Sequence, residues 1–252
     1  MEDQKGEEVS YHLNEIPWIK SKTPRAKAII ELLKVFVKEK RKWNLDGSPR
    51  KYDFISGCYG NPNSKNVFVA EIPSFSGCKV IDRIYPPETR WKGAWKESTG
   101  DLIYRICLRN HGLIKPDPLS DKPWIWNCWL TDFVKCPHTD SEWKKMKRDD
   151  RERILKESAR ILQRELKIIA PENVIIVGKS KTQPLFKKYM KAWLVKNGVD
   201  KSGEPKWSWM NKKGEPKWVL PHYARAKNPD PESEKFVKSF DDVMRQISQG
   251  AR

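Results

Sequence analysis

Five side chains in this sequence carry groups suited to placing water, moving protons or holding phosphate, and each follows an apolar run: Glu71, Asp132, Lys179, Ser180 and His222. Glu71 comes after Val67-Phe68-Val69-Ala70 and just before Pro73, Asp132 falls inside the apolar segment 124–134, and Lys179-Ser180 follow Gly178. His222 comes just after the short run Trp218 to Leu220. A carboxylate can position a water, an imidazole can donate a hydrogen bond to a leaving group, and an ammonium beside a hydroxyl can contact a phosphate. Each residue also has a plainer reading. Glu71 can be a cap or half of an ion pair, His222 a structural histidine, and Lys179-Ser180 a solvated turn. The five cysteines, Cys58, Cys78, Cys107, Cys128 and Cys136, include no CxxC pair, so neither a zinc ribbon nor a disulfide framework is indicated. No carboxylates or histidines cluster at metal-ligand spacing, which argues against metal-assisted hydrolysis. No lysine stands in a clearly desolvated pocket, so no Schiff-base step is expected.

The elements that must position these groups alternate between strand and helix. Thr23-Pro24 is a helix start, a cap followed by proline at the first helical position, with Ala26, Ile29, Ile30, Leu33, Phe36 and Val37 at helical spacing. GCYGNPNSKN reads as a loop, and Val67–Ala70 as a buried strand that Pro73 forbids to continue. The stretch from Ser74 to Lys96 is irregular and rich in Pro, Gly and aromatics. A helix follows, with Leu102, Ile103, Ile106 and Cys107 on one face and Gly112 past its end. Trp124 to Val134 reads as a second strand. A helix carrying Leu155, Ala159, Leu162 and Leu166 ends before Pro171, and Asn173–Val177 is the third strand. A further helix runs from about Thr182 to Lys196 with Leu185, Tyr189 and Trp193. SGEPKW at 202–207 and KGEPKW at 213–218 then repeat, which reads as a hairpin-like insertion. Trp218 to Leu220 is the fourth strand, and a last helix groups Phe236, Phe240, Val243 and Ile247.

Strands separated by helices imply a three-layer α/β/α fold around a central four-stranded parallel sheet. Ligands of such sheets bind outside the carboxyl ends of the strands. That places Glu71-Ile72-Pro73, Asp132 to Pro137, Gly178-Lys179-Ser180 and Pro221-His222-Tyr223 around one crevice. The chain divides into an N-terminal helical extension, residues 1–50, and a domain over 51–252 with a Trp/Pro-rich insertion near 200–217.

Composition narrows the partner. The 252 residues carry 50 Lys+Arg against 33 Asp+Glu, a formal net charge of +17, together with 12 Trp. Cations for phosphates and rings for bases fit a nucleic acid, with affinity that falls steeply as salt rises. A basic surface kept for solubility is the alternative. No apolar run is long enough to cross a membrane, and the acidic, polar N-terminus reads as neither a secretory signal nor a transit peptide. Taken with the family resemblance described next, the expectation is a monomeric protein on DNA, with the base flipped from a duplex or a single strand, in a bacterial or archaeal cytosol, with no membrane, metal or organic cofactor.

Four segments resemble the uracil-DNA glycosylase superfamily, most closely its family 4 branch. VFVAEIPS (67–74) resembles a strand ending in Gly-Glu-x-Pro-Gly, and TDFVKCP (131–137) resembles Thr-Asn-x-Val-Lys-Cys-x-Pro. VIIVGKS (174–180) resembles the strand and turn before the family's penultimate helix, and VLPHYAR (219–225) stands where His-Pro-Ser belongs. RWKGAW (90–95), followed by a helix ending in HGL, resembles the Pro-Phe-Val-Gly loop and its helix. The resemblance covers about residues 52–230, in order and with the right spacing. It departs at Ala70 and Ser74, where the family has Gly, and at HYA in place of His-Pro-Ser. Only Cys136 matches the four iron–sulfur ligands, with Ser158 near a second ligand position, so no cluster is expected.

The resemblance implies an enzyme that flips a base from the stack and hydrolyses its N-glycosidic bond. It makes Glu71 and His222 catalytic, Glu71 placing the water and His222 supporting the departing base. It puts Trp91, Asp132 and Ile72 against the base, Lys179 and Ser180 on a phosphate, and Tyr223 and Arg225 in the loop that wedges into the duplex gap. Asp132 replaces the Asn that recognises uracil in the family. An ionised carboxylate only accepts hydrogen bonds, so it repels uracil's O4 and suits the exocyclic amine of cytosine. Excision of plain cytosine would destroy the host genome. The expected target is therefore a modified cytosine of foreign, phage-type DNA, and the role antiviral defence. The alternatives are uracil excision for repair and a non-catalytic DNA-binding module of the same fold.

Overall fold

The computed structural model describes residues 23–25, 27–29, 31–32, 59–71, 99–116, 124–135, 140–198, 200–222 and 231–250. Within them the strands are β1 (Tyr59–Gly60), β2 (Asn66–Ala70), β3 (Ile114–Pro116), β4 (Trp124–Trp126), β5 (Trp129–Asp132), β6 (Asn173–Val177) and β7 (Trp218–Leu220). The helices are α1 (Thr99–Asn110), α2 (Asp140–Lys145), α3 (Arg148–Ile169), α4 (Thr182–Gly198) and α5 (Pro231–Gly250). Four strands form a parallel sheet in the order β5-β2-β6-β7, and β1 adds an antiparallel edge beside β5. β2 lies at the centre, hydrogen-bonded to β5 on one side and β6 on the other.

Side chains alternate along each strand and build one core on each face of the sheet. Val67, Val69, Trp129, Val174 and Ile176 pack with α3 and α4. Phe68, Ile175, Val177 and Leu220 pack with Tyr104 and Leu108 of α1 and Phe236 and Phe240 of α5. Helices therefore cover both faces, which gives three layers. Strands buried on both sides read as nearly continuous apolar runs. Ile29 and Leu32 join the α3–α4 core, and the amide of Lys27 donates to the Thr23 carbonyl at 3.1 Å, the first turn of a helix that Thr23-Pro24 begins. No helix among the described residues is long and apolar enough to cross a membrane.

Several elements differ from the sequence expectation. The segment 124–134 is two strands. β4 pairs antiparallel with β3, the chain bends at Asn127-Cys128, and only then does β5 enter the parallel sheet. The bend is held by the Asn127 amide on the Leu113 carbonyl and by the Asn127 side-chain amide on the Gly112 carbonyl, both at 2.8 Å. The segment expected to be a loop before β2 contains β1, and β2 itself begins at Asn66. On α1, Tyr104, Cys107 and Leu108 are buried at i, i+3 and i+4 spacing, whereas Ile106 is 44 % exposed because it points away from that stripe.

The repeated segment is two copies of one turn rather than a simple hairpin. Asp200 Oδ1 accepts the amides of Ser202 and Glu204, both at 2.9 Å. Asn211 Oδ1 accepts those of Lys213 and Glu215, at 2.9 and 3.0 Å. Gly203 and Gly214, at φ 85° and 73°, supply the left-handed residue that each turn requires. Trp207, closing the first copy, stacks on Trp193 and Trp209 with ring centroids 5.1 Å apart in both pairs.

Candidate active site at the carboxyl end of the sheet

Parallel register sets the row of residues along this edge. Asp132 is the last residue of β5, aligned with Ala70 of β2, and Glu71 follows directly. Gly178-Lys179-Ser180 leave β6, and Pro221-His222 leave β7. Neighbouring strands lie about 4.8 Å apart, so the span from Glu71 to His222 is roughly 10 Å, wide enough for a nucleobase. Alternation sends Asp132 and Glu71 to opposite faces of the sheet. Asp132 follows Leu130 toward α1 and α5, and Glu71 follows Val69 toward α3 and α4. The two carboxylates thus straddle the edge.

Glu71 is held by its backbone and by a cation. Its carbonyl accepts the Val134 amide at 2.9 Å, and its carboxylate pairs with Lys181 Nζ at 3.3 Å. The carboxylate is 23 % exposed, so water can reach it. Lys179 and Ser180 are exposed on the turn between β6 and α4. That turn is fixed by the amides of Gly178 and Lys179, which both donate to the Leu220 carbonyl, at 3.0 and 3.1 Å. The same bonds lock β6 to the residue two before His222.

Gly178 lets the imidazole approach. It has φ 115°, and a Cβ there would lie 2.7 Å from Thr182 Oγ1 and 3.3 Å from His222 Cδ2. Thr182 Oγ1 cannot withdraw, because it donates to the Val177 carbonyl at 2.7 Å and is fully buried. Gly178→Ala is expected to lose about 1–3 kcal/mol of stability and to displace His222. Urea unfolding checks the first effect, and the His222 ring resonances in NMR check the second. An unchanged midpoint with unmoved resonances would mean the turn absorbs the methyl group.

Beneath β5 lies a buried polar network. Lys135, 1 % exposed, donates from Nζ to Thr131 Oγ1 and to Glu165 Oε2, the latter at 2.5 Å. Trp129 Nε1 donates to Glu165 Oε1 at 2.6 Å, and Thr131 Oγ1 to Glu165 Oε2 at 3.2 Å. The Lys135 amide donates to Ser158 Oγ at 3.2 Å. This ties the end of β5, and with it Asp132, to the middle of α3. Ser158 thus acts as a hydrogen-bond acceptor. Among the described residues no three of His, Cys, Asp and Glu are grouped to hold a metal ion. Cys107 and Cys128 are buried free thiols. Burial, with Asp241 nearby, pushes Cys107 up to about 12, and burial raises Cys128 as well, so neither is a ready nucleophile.

A cleft of about 430 Å³ opens from Glu71 between α3 and α4, which the sequence reading missed. Its walls carry Arg148, Arg151 and Glu152 from α3, Lys181 from the turn just before α4, and Lys188 and Tyr189 from α4. Tyr189, read from sequence as a packing residue, also donates its hydroxyl to Glu152 at 2.7 Å, and Lys188 reaches Glu152 at 3.0 Å. The Tyr189 hydrogen bond, then that from Lys188, holds the Glu152 carboxyl below its usual range. Hydrogen bonds to Tyr189 and Glu152 raise Lys188, and burial raises Tyr189. The Glu152–Lys188 pair therefore stays charged and internally neutral near pH 7. The spacing of 148, 151 and 152 on one helix and of 185, 188 and 189 on the next was the available signal.

Trp91, Ile72, Tyr223 and Arg225 lie outside the described residues. Of the expected site residues the structure thus places Glu71, Asp132, Lys179, Ser180 and His222 along one edge, with Gly178 against His222. No protein-family model matches the chain, and no curated protein matches it.

Proposed function

We propose that this protein is a monofunctional DNA glycosylase that takes a base out of the stack and hydrolyses its N-glycosidic bond, with a modified cytosine of phage DNA as target. The observation that supports it is the row of Asp132, Glu71, Lys179-Ser180 and His222 on adjacent parallel strand ends. In this reading a water held by Glu71 bonds to C1′ as the C1′–N bond breaks, and it gives up a proton to the Glu71 carboxylate, which returns it to solvent. The base leaves with the bonding pair, supported by a hydrogen bond from His222, and takes up a proton. The products are an abasic deoxyribose and the free base. Glu71 also offsets the positive charge that develops on the sugar. Asp132, on the other face of the edge, accepts from the exocyclic amine of a cytosine-type base. The resemblance of the four strand-end segments to the uracil-DNA glycosylase superfamily supports the same chemistry.

The test is base release from matched DNAs carrying uracil, cytosine or glucosylated hydroxymethylcytosine, read as alkali-labile breaks. Breaks with the modified cytosine alone are expected, and Asp132→Asn is expected to move preference toward uracil. Breaks with uracil alone would make the protein a repair enzyme and Asp132 a tolerated substitution. DNA binding without breaks on any of the three would make it a non-catalytic module.

A further inference from the structure

We infer that the cleft between α3 and α4 is a phosphodiester subsite, in which Arg148 and Arg151 hold the backbone of the DNA strand that carries the reacting nucleotide. The inference rests on reading the crevice as a DNA site but not on base release. Four cations line this cleft with two carboxylates, and both carboxylates are already taken: Glu71 pairs with Lys181 at 3.3 Å and Glu152 with Lys188 at 3.0 Å. What remains is positive. Neither Arg148 nor Arg151 is in an ion pair with an acid of the described residues, although Asp149 and Asp150 are adjacent in sequence. Asp150 instead pairs with Arg153 at 3.1 Å. Two guanidiniums one helical turn apart present forked donors of the kind that match phosphate oxygens.

Position favours a polymer over a free anion. Glu71 is a lining residue of the cleft and also part of the strand-end row, so whatever lies in the cleft is continuous with the crevice. A strand whose sugar faces Glu71 must carry a phosphate within one nucleotide of that point. Arg151, half-buried, and Arg148, exposed, both line the cleft with Glu71 and can meet that phosphate. The lysines at 144, 145 and 147 are exposed and continue the positive charge outward from Arg148.

The experiment is a salt titration of DNA affinity by fluorescence anisotropy, on the full chain, for the wild type, Arg148→Gln, Arg151→Gln and the control Lys201→Gln. Lys201 is exposed on the first repeated turn, which lies between the end of α4 and the start of β7 and so at the opposite, amino edge of the sheet. Each arginine variant is expected to bind about 10-fold more weakly at ~0.1 M salt, with the log–log slope reduced by about 0.9 for duplex or 0.7 for a single strand. Lys201→Gln should leave the slope unchanged. A second arm uses DNA in which one linkage beside the target nucleotide is an uncharged methylphosphonate. That replacement should weaken the wild type and leave the arginine variants nearly unaffected. Equal slopes for all four proteins overturn the inference. Protection of the wild type from thermal unfolding by inorganic phosphate, with unchanged DNA slopes, overturns it in favour of a free-anion site. Altered slopes without any base release would sustain the inference while sinking the glycosylase reading.

Discussion

Glu71→Gln is expected to slow base release by about 10²- to 10⁴-fold in single-turnover assays while leaving DNA affinity within about twofold. The amide keeps the size and a hydrogen-bonding oxygen, but it neither polarises a water as a base does nor offsets positive charge on the sugar. The loss should fall on the rate of the chemical step. A structural role for Glu71 predicts something different. Its pair with Lys181 joins groups 23 % and 56 % exposed, and such a pair contributes about 1 kcal/mol or less. The variant should therefore unfold at nearly the wild-type midpoint. Undiminished release by a folded Glu71→Gln protein would remove Glu71 from the mechanism. A collapse of stability together with activity would instead make it a structural carboxylate.

The second large effect concerns stability. Lys135→Met should destabilise the protein by about 3–5 kcal/mol, because it leaves the Glu165 carboxylate charged in the core with one cation fewer. Glu165 is 2 % exposed and already accepts from Trp129 and Thr131, so bulk water cannot readily take the place of the ammonium. The double variant K135M/E165Q should recover much of the loss. The amide oxygen that E165Q introduces still accepts from Trp129, its nitrogen can donate to Thr131, and no charge remains buried. Urea unfolding of the single and double variants is the measurement. A single variant no less stable than the double, or as stable as wild type, would show that the ion pair does not govern this part of the core.

The sequence made the sheet legible where the strands are buried on both faces. Val67–Ala70, Asn173–Val177 and Trp218–Leu220 stand out as short apolar runs closed by turn residues. It hid β1, because two residues at an edge carry no periodicity. It also fused β4 and β5, whose separation depends on hydrogen bonds from Asn127 to Leu113 and Gly112. The strand-end residues could be found from the general rule for parallel sheets. The cleft could not, since it exists only because α3 and α4 pack side by side and bring Arg148 and Arg151 opposite Lys181 and Lys188. The partnership of Lys135 with Glu165 was equally invisible. Each looks locally like a surface charge, and only the fold buries them together.

The central position of β2 has a consequence for how the chain matures. It emerges from the ribosome before either neighbour, β5 or β6, so both of its edges stay unpaired until Trp129–Asp132 follow. The edge is complete only when β7 docks on β6 and delivers His222. A nascent or truncated chain that stops before Trp218 therefore has the Glu71 carboxylate without the His222 imidazole. On the proposed reading such fragments lack the group that supports the departing base, so base release waits for the last strand to dock.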